Sequence, residues 1–188
     1  MLQVEHELKI VVLGEASVGK TSILHRYVTG NEYQCPVSTI NASFFKKKLT
    51  INSKHLNIQL WDTAGQEKFN AITPMYYRNA DIILIVFAVD CPKSFERAVN
   101  QVNEVRSKLN KPFIVLIGNK SDQVNVVQNV AEEFARDSGY GIYYLSAANG
   151  DRVEEVFGKI IEQAYCINGN NNQNKLVVES EKAKKKCC

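Results

Sequence analysis

Residues 14–21, Gly14-Glu15-Ala16-Ser17-Val18-Gly19-Lys20-Thr21, fit the spacing G-x-x-x-x-G-K-[ST] at every defined position. The residue types suit a polyphosphate. Glycines let the backbone curl so that successive N–H groups point at phosphate oxygens. A helix starting at the end of the loop adds its positive terminus. Ala16, Ser17, Val18, Gly19, Lys20, Thr21 and Ser22 would therefore surround the phosphates. Lys20 would reach the β- and γ-phosphates, and the Thr21 hydroxyl would ligate Mg²⁺. Taken alone, the pattern also fits a plain glycine-rich turn.

Two further constellations bear on that choice. Trp61-Asp62-Thr63-Ala64-Gly65-Gln66-Glu67 follows an alternating stretch, with Leu56, Ile58 and Leu60 on one side and His55, Asn57 and Gln59 on the other. Asp62, at the end of that strand, is placed to hold Mg²⁺ through water. The Gly65 N–H could meet a γ-phosphate, and the Gln66 amide could orient an attacking water. Asn119-Lys120-Ser121-Asp122 follows the apolar run Phe113 to Ile117. A carboxylate at Asp122 can accept hydrogen bonds from both N1–H and the amino group of guanine. Adenine presents an acceptor at N1 and no amino group beside it, so the buried carboxylate would go unpaired. Hydrogen bonding of this kind discriminates by about 10⁴ or more.

With these motifs in this order, the chain resembles the small Ras-like GTPases and, within them, the Rab family. The resemblance runs from Leu8 to about Cys166. It implies roles residue by residue. Gly14, Gly19, Lys20 and Thr21 match the phosphate loop. Thr39 matches the switch I threonine that coordinates Mg²⁺ only when the γ-phosphate is present. Asp62, Gly65 and Gln66 match switch II, which makes Gln66 and Lys20 the catalytic pair and Thr21, Thr39 and Asp62 the metal ligands. Asn119, Lys120 and Asp122 match the guanine motif, and Ser146, Ala147 and Ala148 the second base-contacting loop. The Rab features are Trp61 before the D-T-A-G-Q segment, Pro74-Met75-Tyr76-Tyr77-Arg78 after it, and the terminal pair Cys187-Cys188. Phe44, Trp61 and Tyr76 match the aromatic triad that Rab effectors read.

The family pattern implies a timed GDP/GTP switch in vesicle traffic, with slow intrinsic hydrolysis of about 10⁻⁴ to 10⁻² s⁻¹ until a GTPase-activating protein intervenes. No arginine stands where a finger would be supplied in cis. An exchange factor, a GDP-dissociation inhibitor, an escort protein and effectors are the implied partners. Asn41 to Leu49, with Pro74 to Tyr77, looks most like the endosomal Rabs. Two other readings compete: a different phosphate-loop enzyme such as a metabolic kinase, and a nucleotide-binding scaffold that no longer cycles. The Asn119–Asp122 motif argues against the first, and intact Thr39 and Gln66 against the second. Several positions depart from the family, among them Asn41, which replaces a frequent glycine beside Thr39. Glu32 stands where an aromatic usually packs on guanine, and a one-residue shift in the loop would bring Tyr33 to the base instead. Ala148 replaces a lysine.

The elements that must position these residues follow from periodicity. Leu8 to Leu13 reads as a strand and Thr21 to Val28 as a helix. Ala42 to Thr50 and Lys54 to Trp61 read as a hairpin around Asn52-Ser53. Ile82 to Val89 is a fully buried strand. Helices are expected from about Pro92 to Leu109, from Val126 to Asp137 with a stop at Ser138-Gly139, and from about Val153, where Asp151 and Glu154 form a capping pair. Ile142 to Ser146 is the last strand. The expectation is an α/β fold: one phosphate-loop G domain with a mostly parallel six-stranded sheet, one antiparallel edge strand, and helices on both faces.

Composition sets outer bounds. The 188 residues fit one domain at 1–167 followed by a tail at 168–188. A net charge of +3 is too small to argue for nucleic acid, and a monomer is expected. The five cysteines show neither zinc nor disulfide spacing, which points to a reducing cytosol. Asn168 to Asn174 cannot bury enough apolar surface to offset ordering, so the tail reads as a tether. It ends Lys184-Lys185-Lys186-Cys187-Cys188, where the Rab resemblance implies two geranylgeranyl groups. Two lipid chains give stable membrane anchoring; one gives only marginal binding.

Overall fold

A computed structural model describes residues 6–33, 42–51, 54–63, 73–110 and 112–165. Thr39, Gly65, Gln66, the Asn52-Ser53 turn, Cys187 and Cys188 lie outside the described residues.

The strands are β1 (His6–Gly14), β2 (Ser43–Ile51), β3 (Lys54–Asp62), β4 (Ile82–Ala88), β5 (Ile114–Asn119) and β6 (Gly141–Tyr144). They form one sheet in the order β2-β3-β1-β4-β5-β6. Only the β2–β3 pair is antiparallel among the described strands, and β2 is the edge. Every residue of β4 is buried, as expected for a parallel strand covered on both faces. β2 instead alternates part-buried and exposed positions along most of its length.

Two helical layers cover the sheet. On one face lie α1 (Lys20–Thr29) and α5 (153–165). Ile23, Leu24 and Tyr27 of α1 meet Val156, Phe157 and Ile160 of α5 over β1 and β3. The other face carries α2 (Thr73–Tyr77), α3 (Pro92–Lys108) and α4 (Gln128–Ser138). Phe95, Ala98, Val102 and Val105 pack there with Ala131 and Ala135. The short α2 was not legible as a helix, because five residues are too few to show a 3.6-residue period. Glu154 does not serve as the expected capping partner: both of its carboxylate oxygens accept from Lys47 Nζ of β2, at 3.0 and 2.9 Å.

The α1–α5 contact centres on Tyr27 and Phe157, stacked with ring centroids 4.0 Å apart and planes 14° from parallel. Lys47 Nζ lies 3.8 Å from the Tyr27 ring centroid and donates to the Tyr27 carbonyl at 2.6 Å. Phe157 is fully buried, so its truncation leaves a cavity at the junction of both helices. Phe157→Ala should destabilise the chain by about 3–5 kcal/mol, and Phe157→Leu by about 1.5 kcal/mol or less. Urea denaturation checks both. A Phe157→Ala cost under about 1 kcal/mol would mean that α5 repacks without this contact.

Candidate functional site

The sequence motifs converge because β1, β3 and β5 are parallel and their carboxyl ends point the same way. The loop after β1, the end of β3 and the loop after β5 therefore share one rim with the 146–148 loop that follows β6. A cleft of about 360 Å³ opens there, between Ser17, Gly19 and Ser22 on one side and Asp122, Ala147 and Ala148 on the other. Two of its residues, Ser17 and Lys120, hold left-handed backbone conformations at φ 63° and 64°. Such conformations are sparsely populated by residues other than glycine and tend to cluster at ligand sites.

At the phosphate end, Lys20 is buried, and its Nζ donates to the Gly14 carbonyl at 3.0 Å and the Glu15 carbonyl at 2.7 Å. Burial pushes its pKa down to about 8, opposed by the negative charges of Asp62 and Glu15. A buried ammonium whose charge is disfavoured in this way suits a polyanion, which would restore that charge. Thr21 Oγ1 donates to Asp62 Oδ2 at 2.6 Å. A hydroxyl and a carboxylate together are hard oxygen donors of the kind Mg²⁺ takes. Thr63 is buried beside Asp62 and donates its hydroxyl to the Val12 carbonyl at 2.7 Å, anchoring the strand end.

Asn119 joins the two ends of the cleft. Its Nδ2 donates to the Val18 carbonyl at 2.7 Å, and its Oδ1 accepts from the Ala147 N–H at 3.1 Å. Gly19 makes room for this bridge. It sits at φ 93°, and a Cβ there would lie 2.3 Å from Asn119 Nδ2. Gly19→Ala should weaken GDP binding by about 10- to 100-fold, through backbone strain and the displaced bridge together. Titration with fluorescent GDP measures this, and an effect under threefold would show that the bridge is dispensable.

At the base end, Asp122 Oδ1 accepts from the Ser146 hydroxyl, and Oδ2 accepts from Gln123 Nε2 at 2.7 Å. The Ser146 bond first, then the Gln123 bond, hold the carboxyl below its usual range. Asp122 is exposed, whereas the discrimination argument from the sequence expected a buried carboxylate. Tyr33 reaches the cleft alongside Glu32, and its ring packs on His25 with centroids 5.1 Å apart. The loop thus brings both residues to the rim.

Sequence reasoning missed three contributors. Asp90 lines the cleft just past β4, and its Oδ1 lies 3.7 Å from Lys120 Nζ. Its place after a strand's carboxyl end was a usable signal. Gln123 was next to a known motif. Arg26 carried no signal, because its partners in the 146–148 loop are 121 and 122 residues away. Elsewhere, Phe44, Trp61 and Tyr76 come together on the surface. Phe44 and Trp61 have centroids 5.0 Å apart, and Trp61 and Tyr76 6.0 Å.

A family model described as "Ras family" matches residues 9–166. The chain is 38% identical over 156 residues to Ras-related protein Rab-21 of Homo sapiens, covering 81% of this chain and 69% of that one. It is 35% identical over 180 residues to GTP-binding protein YPT53 of Saccharomyces cerevisiae, covering 88% and 80%. Ras-related protein Rab5A of Oryza sativa subsp. japonica is 36% identical over 159 residues, covering 82% and 78%. The chain belongs to the Ras family, in its Rab branch. This Rab is a GTPase that binds GTP and GDP with Mg²⁺ and acts as a GDP/GTP switch in vesicle trafficking, with regulators and effectors of the general Rab kind. Among its described residues, no helix is long and apolar enough to cross a membrane.

Proposed function

We propose that the cleft binds guanine nucleotide through the residues whose types first suggested it. The observation that carries this is convergence: buried Lys20, the Thr21–Asp62 pair and the Asn119–Asp122–Ala147 cluster line one rim. Lys20 and the loop N–H groups neutralise charge that develops on the phosphate oxygens as water attacks the γ-phosphorus in line. Gln66 orients that water. Thr21 and Asp62, joined by Thr39, would hold Mg²⁺, which screens phosphate charge when bound. Thr39 and Gly65 sense the γ-phosphate and order both switch segments around it. With no arginine supplied in cis, turnover waits on a GTPase-activating protein. Single-turnover phosphate release tests the assignment. The unaltered chain should hydrolyse GTP at about 10⁻⁴ to 10⁻² s⁻¹, and Gln66→Leu should abolish stimulation by an activating protein. A partner-free rate near 10 s⁻¹ would sink it.

Residues 168–188 serve as the tether of a 1–167 G domain, with geranylgeranyl groups on Cys187 and Cys188 and the nearby lysines drawn to anionic lipid. An escort protein delivers the chain for lipidation, a GDP-dissociation inhibitor extracts it, and an exchange factor reloads it. Effectors read Phe44, Trp61 and Tyr76, whose clustering, with Phe44 exposed and the other two half-buried, supports that role. The compartment is the early endosome, a reading supported by the likeness of Asn41 to Leu49 to endosomal Rabs. An amino-terminally tagged chain should mark early endosomes, and the double change Cys187→Ser, Cys188→Ser should leave it in the cytosol. Golgi labelling would overturn the compartment and leave the GTPase assignment standing.

A further inference from the structure

Arg26 projects from the last turn of α1 toward the 146–150 loop. Its Nε donates to the Ala147 carbonyl at 3.0 Å, one terminal nitrogen donates to the Ala148 carbonyl, and the other to the Gly30 carbonyl at 3.3 Å. One planar cation thus holds two consecutive carbonyls of the base loop and the end of the helix that starts at Lys20. Gly150, at φ 85°, lies beside the arginine, and a Cβ there would be in ordinary van der Waals contact with it, 3.5 Å from its Cδ.

These bonds fix the direction of N–H groups on the other side of the loop. In a trans peptide the C=O and N–H point opposite ways. Drawing the Ala147 carbonyl toward Arg26 therefore turns the Ala148 N–H away from it. The Ala147 N–H is already taken by Asn119 Oδ1, which leaves the Ala148 N–H as the loop's donor to a base. Ala148 lines the cleft and brings no polar side chain of its own, so backbone direction decides what this loop can offer.

We propose that Arg26 is a positioning residue that sets how long guanine nucleotide stays bound, by aiming the Ala148 N–H at the O6 edge of guanine. The proposal rests on the cleft being the nucleotide site. Asp122 would take the N1–H and amino group, and the Arg26-held loop the carbonyl oxygen. An arginine that merely capped α1 through Gly30 would stabilise the helix and leave base recognition unchanged.

The test uses the full chain loaded with ribose-labelled fluorescent GDP, or with its 6-thio analogue, chased by excess GDP. Sulfur is a weaker acceptor than oxygen, so the analogue should leave the unaltered chain about 3- to 10-fold faster than GDP. Arg26→Ala should speed GDP release by more than threefold, on the order of 10- to 100-fold. It should also shrink the thio-to-oxo ratio toward one, because the donor is no longer aimed. Arg26→Lys keeps a cation and can hold one carbonyl, so it should fall between; it carries the same comparison if the alanine variant does not fold. A release rate within threefold of the unaltered chain would overturn the proposal. So would faster release with an undiminished thio effect, or an unaltered chain indifferent to sulfur. Failure of the unaltered chain to retain labelled GDP would overturn the reading of the cleft, and this proposal with it.

Discussion

Asp122→Asn should exchange the preferred base from guanine to xanthine. Asp122 offers two acceptors, matching the two donors N1–H and N2–H of guanine. Asparagine offers one acceptor and one donor, which match the N1–H and C2 carbonyl of xanthine. The surroundings tolerate the change. The Ser146 hydroxyl that bonds Oδ1 can still donate to the amide oxygen. Gln123, whose Nε2 now donates to Oδ2, can turn its own amide to accept. GDP affinity should fall by about 10² to 10⁴, since a donor now faces the guanine amino group. Competition between GDP and xanthosine diphosphate measures the exchange. Equal losses for both bases would mean that Asp122 supports the loop and does not read the ring.

The same carboxylate sets a pH dependence. Its folded-state pKa is lowered, chiefly by the Ser146 hydroxyl, so its stabilising contribution is fully present above the ordinary value of 3.8. That contribution is lost as pH falls through the lower folded value. Guanine affinity should therefore stay level from neutral pH down to the ordinary carboxylate range. Ser146→Ala should raise the titration midpoint of Asp122, seen in its carboxyl carbon resonance. An unmoved midpoint would place the cause elsewhere.

Lys20→Ala should cost more affinity than any other single change at the phosphate end. The ammonium is buried and already has two backbone acceptors, so the side chain is held in place before nucleotide arrives. Its loss removes a desolvated charge and its bonds to two phosphates, each worth about 1.5–3 kcal/mol, or roughly 10²- to 10⁴-fold in all. The variant should still fold, because it discards a cation whose charge burial disfavours. It should purify free of nucleotide, as ion-exchange analysis of the denatured protein would report. Retained GDP at full occupancy would move the phosphate contact onto the loop amides alone.

Much of this was legible in the residues. The alternation of Leu56, Ile58 and Leu60 predicted the buried side of β3, and all three are fully buried. The uninterrupted apolar run at Ile82 predicted a strand covered on both faces. The antiparallel edge followed from the hairpin pattern. Local periodicity carries such features because one buried face imposes its repeat on neighbouring residues. Other features left no local trace. The fate of Glu154 depended on Lys47, which stands 107 residues earlier. Tyr33 and Glu32 could be placed at the rim only once α1 and its following loop were set.

The sequence by itself determined which chemistry the chain can do: phosphate loop, carboxylate at a strand end, guanine motif, in that order, on alternating strands and helices. Those are short-range patterns, and each constrains residues that lie near one another in the chain. Only the tertiary structure decided which groups meet. The order β2-β3-β1-β4-β5-β6 seats β1 between β3 and β4, so Thr21 reaches Asp62 and Asn119 reaches Val18. It also sets Arg26 against a loop that lies far along the chain. A single cation binding distant carbonyls imposes no repeat on its neighbours, so such contacts exist only once the sheet has closed the distance.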